Sequence, residues 1–180
     1  MFKYYAMILI ASVLFNAGFI EATVIVVNTT GDDLTVNGNC TLREAIQAAN
    51  QNVQVDGCTA GNSSLDTIMF SVNGTLTMGS NRFIITEQVT IGGPGADNLT
   101  IVGTDGVFAV NMAVETHDFE LIGVTLTGGD PGNSNGGAVA LFNVDVATFT
   151  NVDFVENTAA DGGVKRFIST AQSRPSLVLT

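Results

Sequence analysis

The sequence predicts an all-β chain: a parallel β-helix (solenoid) of short coils, with one amphipathic helix laid over its N-terminal end. Three observations predict it. Strand-like segments of three to five residues alternate apolar and polar positions and are separated by Gly and Asn. One segment, Cys40 to Asn50, has helical periodicity instead. Several later segments also resemble one another at their apolar centres, the mark of a repeat. A β-sandwich is the alternative, but strands this short suit stacked coils better.

Residues 1–22 read as a secretory signal peptide. Lys3 gives a positive start, Ala6 to Phe15 an apolar core, and Ile20-Glu21-Ala22 a small residue at the cleavage point. The apolar run is too short and interrupted for a membrane span, so no membrane insertion of the mature segment is expected.

Residues 23–65 read as an N-terminal cap made of a strand at Thr23 to Val27, a helix over 41–51 and a disulfide loop. Thr41 and Glu44 fit a capping box, in which each side chain satisfies the other's backbone amide. Leu42, Ala45, Ile46 and Ala49 form one apolar stripe, while Arg43, Glu44, Gln47 and Asn50 fall off it and read as capping or solvated residues. A β-helix has an open core and unpaired backbone at its first coil, and an apolar-faced helix there covers both. Cys40 and Cys58 are the only cysteines, and an exported chain with two most simply bridges them. Closing that loop stabilises by about 3 kcal/mol on the chain-entropy account.

Residues 66–164 read as the coils. Val89 and Ile91, Leu99 and Ile101, and Phe119 and Leu121 face one way; Thr90, Thr100 and Glu120 face the other. Matching apolar centres pairs Ile101 with Leu121 and Phe149, Gly103 with Gly123 and Asn151, and Leu126 with Phe154, at intervals of 20 and 28 residues by subtraction. The longer interval carries a Gly/Asp/Asn/Ser loop at Gly128 to Gly136. Gly, and Asn after it, supply the positive-φ corners such coils need. Residues 165–180 break the pattern: three of the six basic residues lie there, no acid follows Asp161 and the Gly/Asn punctuation stops. This tail reads as the product of a truncation or frameshift, which would leave the coil at 146–157 with an unprotected edge; a native terminal cap is the alternative.

Cys40-Thr41-Leu42-Arg43-Glu44-Ala45-Ile46, followed by Ala49-Asn50, resembles the motif of the CSLREA-motif exported proteins, departing at Thr41, where Ser is usual. Asp66-Thr67-Ile68-Met69-Phe70 looks like the first core strand after that motif. Gly136-Gly137-Ala138-Val139 and Phe154-Val155-Glu156-Asn157 resemble the paired Gly-Gly-Ala-aliphatic and Phe-x-x-Asn repeats of polymorphic outer-membrane autotransporters. The resemblance covers about residues 20 to 164. It implies a right-handed, pectin-lyase-like, single-stranded β-helix at the cell surface or secreted, with an adhesin-like role and no assigned catalytic residue.

The formal net charge of −11 argues against nucleic acid and anionic membrane surfaces as partners. Two thiols and one distant histidine, His117, make poor zinc spacing, and no metal or other cofactor is expected. Asp145, Asp153 and Asp161 are the candidates for calcium or for a carboxylate pair, against a reading as solvated turn residues. Asp32-Asp33 reads as a turn pair, and His117 as a surface histidine on a polar turn. Asn-Thr-Asp, Gly-His-Gly and Arg-Ile-Lys, signatures of lyases and polygalacturonases of this fold, are not found. Five Asn-x-Ser/Thr sequences, at Asn28, Asn39, Asn62, Asn73 and Asn98, fit turn chemistry as well as glycosylation. The first functional expectation is a secreted or cell-surface module, monomeric and part of a larger surface protein, that binds surface glycans or proteins. The second is a polysaccharide-active enzyme using Asp145 or Asp153. A passenger fragment without separate function is the third.

Overall fold

A computed structural model describes residues 22–79, 81–114, 117–130, 132, 136–159 and 177–179. The expected signal peptide lies outside the described residues except for Ala22, as does the tail except for the strand at 177–179.

The described chain is mostly β structure in three sheets, with one short helix and no closed barrel. Strand β1 (Thr23–Val27) leads into α1 (Leu42–Gln51). Then follow β2 (Asp66–Phe70), β3 (Gly74–Thr77), β4 (Phe83–Ile85), β5 (Val89–Gly92), β6 (Leu99–Val102) and β7 (Phe108–Asn111). The series continues through β8 (Phe119–Ile122), β9 (Thr125–Thr127), β10 (Val139–Phe142), β11 (Ala147–Thr150), β12 (Asp153–Val155) and β13 (Leu177–Leu179). The first sheet is ordered β1-β2-β5-β8-β11-β13, the second β3-β6-β9-β12 and the third β4-β7-β10. From β2 onward the chain therefore visits first, second and third sheet in turn, circuit after circuit. Every pairing among β1 to β12 is parallel.

Alternation decides which side chains fill the interior. Ile68, Ile91, Leu121 and Phe149 are mutual partners in the first sheet, Leu76, Ile101, Leu126 and Phe154 in the second, and all are buried. Five phenylalanines run through this core, Phe83, Phe108, Phe119, Phe149 and Phe154, with successive ring centroids 5.5, 6.1, 6.1 and 5.5 Å apart. Such tilted and edge-on pairs add to the area they bury.

This register corrects part of the repeat read from sequence. Ile101 sits in the second sheet and pairs with Leu126, whereas Leu121 sits in the first and pairs with Ile91. The first-sheet steps are 23, 30 and 28 residues by subtraction, so the 20-residue interval joined different faces of two successive circuits. The Leu126–Phe154 match is observed. The corners explain the confusion, because both ends of a short strand carry the same chemistry. Gly123 and Asn151 are left-handed at φ 62° and 54° after the first sheet, and Gly128 and Glu156 at 70° and 52° after the second.

Helix α1 is capped as its sequence dictates. Glu44 N–H donates to Thr41 Oγ1 (3.2 Å), and Thr41 N–H donates to Glu44 Oε2 (2.9 Å). At the other end Asn52, left-handed at φ 56°, donates its amide to Ala49 O. The buried stripe packs on β1, β2 and β4. Cys40 and Cys58 form a disulfide that ties the helix start to the following loop. The edge expected to stand open at the last first-sheet strand is not bare: β13 pairs with β11, antiparallel.

Candidate functional site

The outer face of the first sheet carries a cleft of about 230 Å³. Its polar lining is Gln88, Thr90, Asp118, Glu120 and Thr148, its apolar edge Leu65 and Val146. Register builds it. Thr67, Thr90, Glu120 and Thr148 are successive Cα partners across β2, β5, β8 and β11, and they point away from the core. Asp118 precedes Glu120 by two residues, so the strand period places both carboxylates on this face.

The scaffold engages each carboxylate through one oxygen. Thr90 Oγ1 donates to Glu120 Oε2 (3.2 Å), and Val146 N–H donates to Asp118 Oδ1 (3.1 Å). Among the described residues no Arg or Lys lines the cleft. Next in sequence to Asp118, His117 has its Nδ1 buried with no hydrogen-bond partner among the described residues, 3.7 Å from Glu87 Oε2. The histidine, expected on a polar turn at the surface, is partly exposed: its side chain is 21 % exposed as the chain enters β8.

The motif residues of the cap serve packing. Glu44 is 1 % exposed, and Arg43 is not solvated either. Arg43 donates Nε and Nη2 to the Asp32 carboxylate (2.7 and 2.9 Å), donates Nη2 to Asn81 O (2.9 Å) and lies 4.7 Å from the centroid of Phe83. Asp32 also accepts from Gly79 N–H (2.8 Å), so it locks the cap to the first circuit and is no solvated turn residue. Leu42, Ala45 and Ile46 fill the space between helix and sheets. A smaller groove of about 180 Å³ beside the helix is lined by Arg43 and Arg82 with Leu34, Phe83 and Ile84.

The repeat motif is likewise structural. Gly136 is left-handed at φ 71°, and a Cβ on Gly137 would strike Thr158 O. Ala138, Val139 and Phe154 are core. Asn157 is buried; its Oδ1 accepts from Gly129 N–H and its Nδ2 donates to Leu126 O, both at 2.9 Å. That side chain joins two consecutive circuits.

The acids expected to carry chemistry are not brought together. Asp153 belongs to the second sheet and Asp145 precedes a first-sheet strand, while Asp161 lies outside the described residues. Among the described residues no group of three or more His, Cys, Asp or Glu is placed to hold a metal ion. Asp118 and Glu120 are the acids that share a cleft. Their signal was Asp118-Phe119-Glu120-Leu121, in which one acid immediately precedes a strand and the other takes its first outward position. Comparison of the chain with protein-family models, curated proteins and solved structures found no match.

Proposed function

We propose that this chain is an exported, right-handed parallel β-solenoid, capped by α1 and forming part of a larger surface protein, that binds an extended glycan along the outer face of its first sheet. The observation that carries the reading is the row of register-matched outward side chains, Thr90, Glu120 and Thr148, set in a cleft with Gln88 and Asp118. Hydroxyl, amide and carboxylate groups in a line match the hydroxyl-rich edge of a saccharide chain. The cyclic order of the three sheets supports the solenoid, and the resemblance of residues 40–50 to the CSLREA motif supports the family and the handedness. The disulfide points to an oxidising compartment, and no helix among the described residues is long and apolar enough to cross a membrane.

A second reading, glycoside hydrolysis, is favoured by one observation. Asp118 and Glu120 line one cleft, as the paired carboxyl groups of a glycosidase flank its scissile bond. One experiment separates the readings: a panel of immobilised glycans probed with wild type, Asp118→Asn and Glu120→Gln, with reducing-end release followed in parallel. Binding lost in both variants without release supports the module. Release abolished by both variants supports the enzyme. Binding unchanged in both variants refutes this cleft as the site.

A further inference from the structure

We propose that Asp66 is an acid-sealed latch between the cap and the first circuit, so that the helix docks more tightly as pH falls and opens more readily as it rises. Asp66 begins β2, but its side chain turns inward and is 1 % exposed. Its Oδ1 accepts from Asn62 N–H (3.0 Å), whereas Oδ2 is buried without a partner. The carboxyl is wedged under the last turn of α1: a Cβ built on Gly61 would collide with Asp66 Oδ2, with Ala49 Cα and with Ala48 O.

Among the described residues no cation faces this group. Helix α1 presents Ala48 and Ala49, and the connection before β2 presents Gly61 and the Asn62 amide. Strand β1 presents Thr23, whose hydroxyl accepts from Asn62 Nδ2 (2.7 Å). On the side of β5 the charged neighbour is Glu87, itself an acid, with His117 beyond it at 3.7 Å. Arg43 is committed to Asp32. An ionised Asp66 thus keeps a buried, unpaired oxygen and faces a like charge, while a protonated one has a hydroxyl to donate, with the Ala48 carbonyl, which accepts from Gly61 N–H (3.3 Å), bordering the same wedge.

Burial, chiefly, and the charge of Glu87 raise the Asp66 carboxyl above the ordinary aspartate value of 3.8, against the opposing Asn62 hydrogen bond. A folded-state value above the unfolded one means that folding favours the protonated form. The stabilisation is complete below pH 3.8 and is lost as pH rises through the raised value.

The test is hydrogen exchange of the α1 amides in the full chain with its disulfide intact, corrected for intrinsic rates, from pH 4 to 7. Opening of the cap should increase with pH in wild type, by at most about tenfold per pH unit. Asp66→Asn, which keeps the neutral shape and supplies a donor, should be protected and flat. His117→Gln should keep the slope, since the latch is Asp66. A flat wild-type profile, a slope that survives Asp66→Asn, or a slope lost in His117→Gln overturns the proposal. Should Asp66→Asn not fold, carbon NMR of the Asp66 carboxyl in wild type decides: a midpoint above 3.8 supports the latch, and one at or below it refutes it.

Discussion

Arg43 shows what single residues contribute and how much of that can be read locally. The capping box was legible because Thr41 and Glu44 are three residues apart. The burial of Arg43 was not, because its partners Asp32 and Asn81 lie 11 and 38 residues away and meet it only once the first circuit closes. Replacing Arg43 by Ala should cost about 2 kcal/mol in denaturant unfolding, since it strands the carboxylate of Asp32 in a site 2 % exposed. Lysine should recover only part of this, having neither the fork for Asp32 nor the plane for Phe83. Glu156 makes the opposite case. Its left-handed φ of 52° is a conformation that glycine adopts freely, so Glu156→Gly should raise stability by about 1 kcal/mol in the same assay. In the sequence the corner is marked only through the Leu126–Phe154 match, which sets Glu156 against Gly128.

Elements were predicted well where they are local and less well where they depend on pairing. Strand β1, helix α1 and strand β2 fall where alternation, capping and the motif placed them. The matching of apolar centres was partly wrong, because strands of similar composition occupy different faces and insertions vary the circuit length. The core pattern alone cannot say whether two apolar centres are stacked or are neighbours around one turn. Among the elements, the central aromatic column carries the largest single contributions. Phe119→Ala, which removes a fully buried ring between Phe108 and Phe149, should cost about 3–5 kcal/mol. Removing the disulfide as Cys40→Ser with Cys58→Ser should cost about 3 kcal/mol, and exchange should show the loss concentrated in α1.

At the scale of the whole molecule, the sequence indicated mostly β structure, a disulfide and a helix over the first strands, but not where a ligand would bind. A cleft made from Gln88, Thr90, Asp118, Glu120 and Thr148 draws on three circuits, and only the correct register assembles it. The account therefore stands or falls on that register, and engineered cysteine pairs test it directly in the otherwise intact chain. Thr90→Cys with Glu120→Cys, and Glu120→Cys with Thr148→Cys, place thiols on directly paired outward positions about 4.8 Å apart, within disulfide reach. Thr100→Cys with Glu120→Cys would be adjacent only if the 20-residue interval were real. The account predicts that the first two pairs bridge under mild oxidation, with the Cys40–Cys58 bond retained, and that the third does not. Bridging of the third pair, or failure of both of the first two, would contradict it.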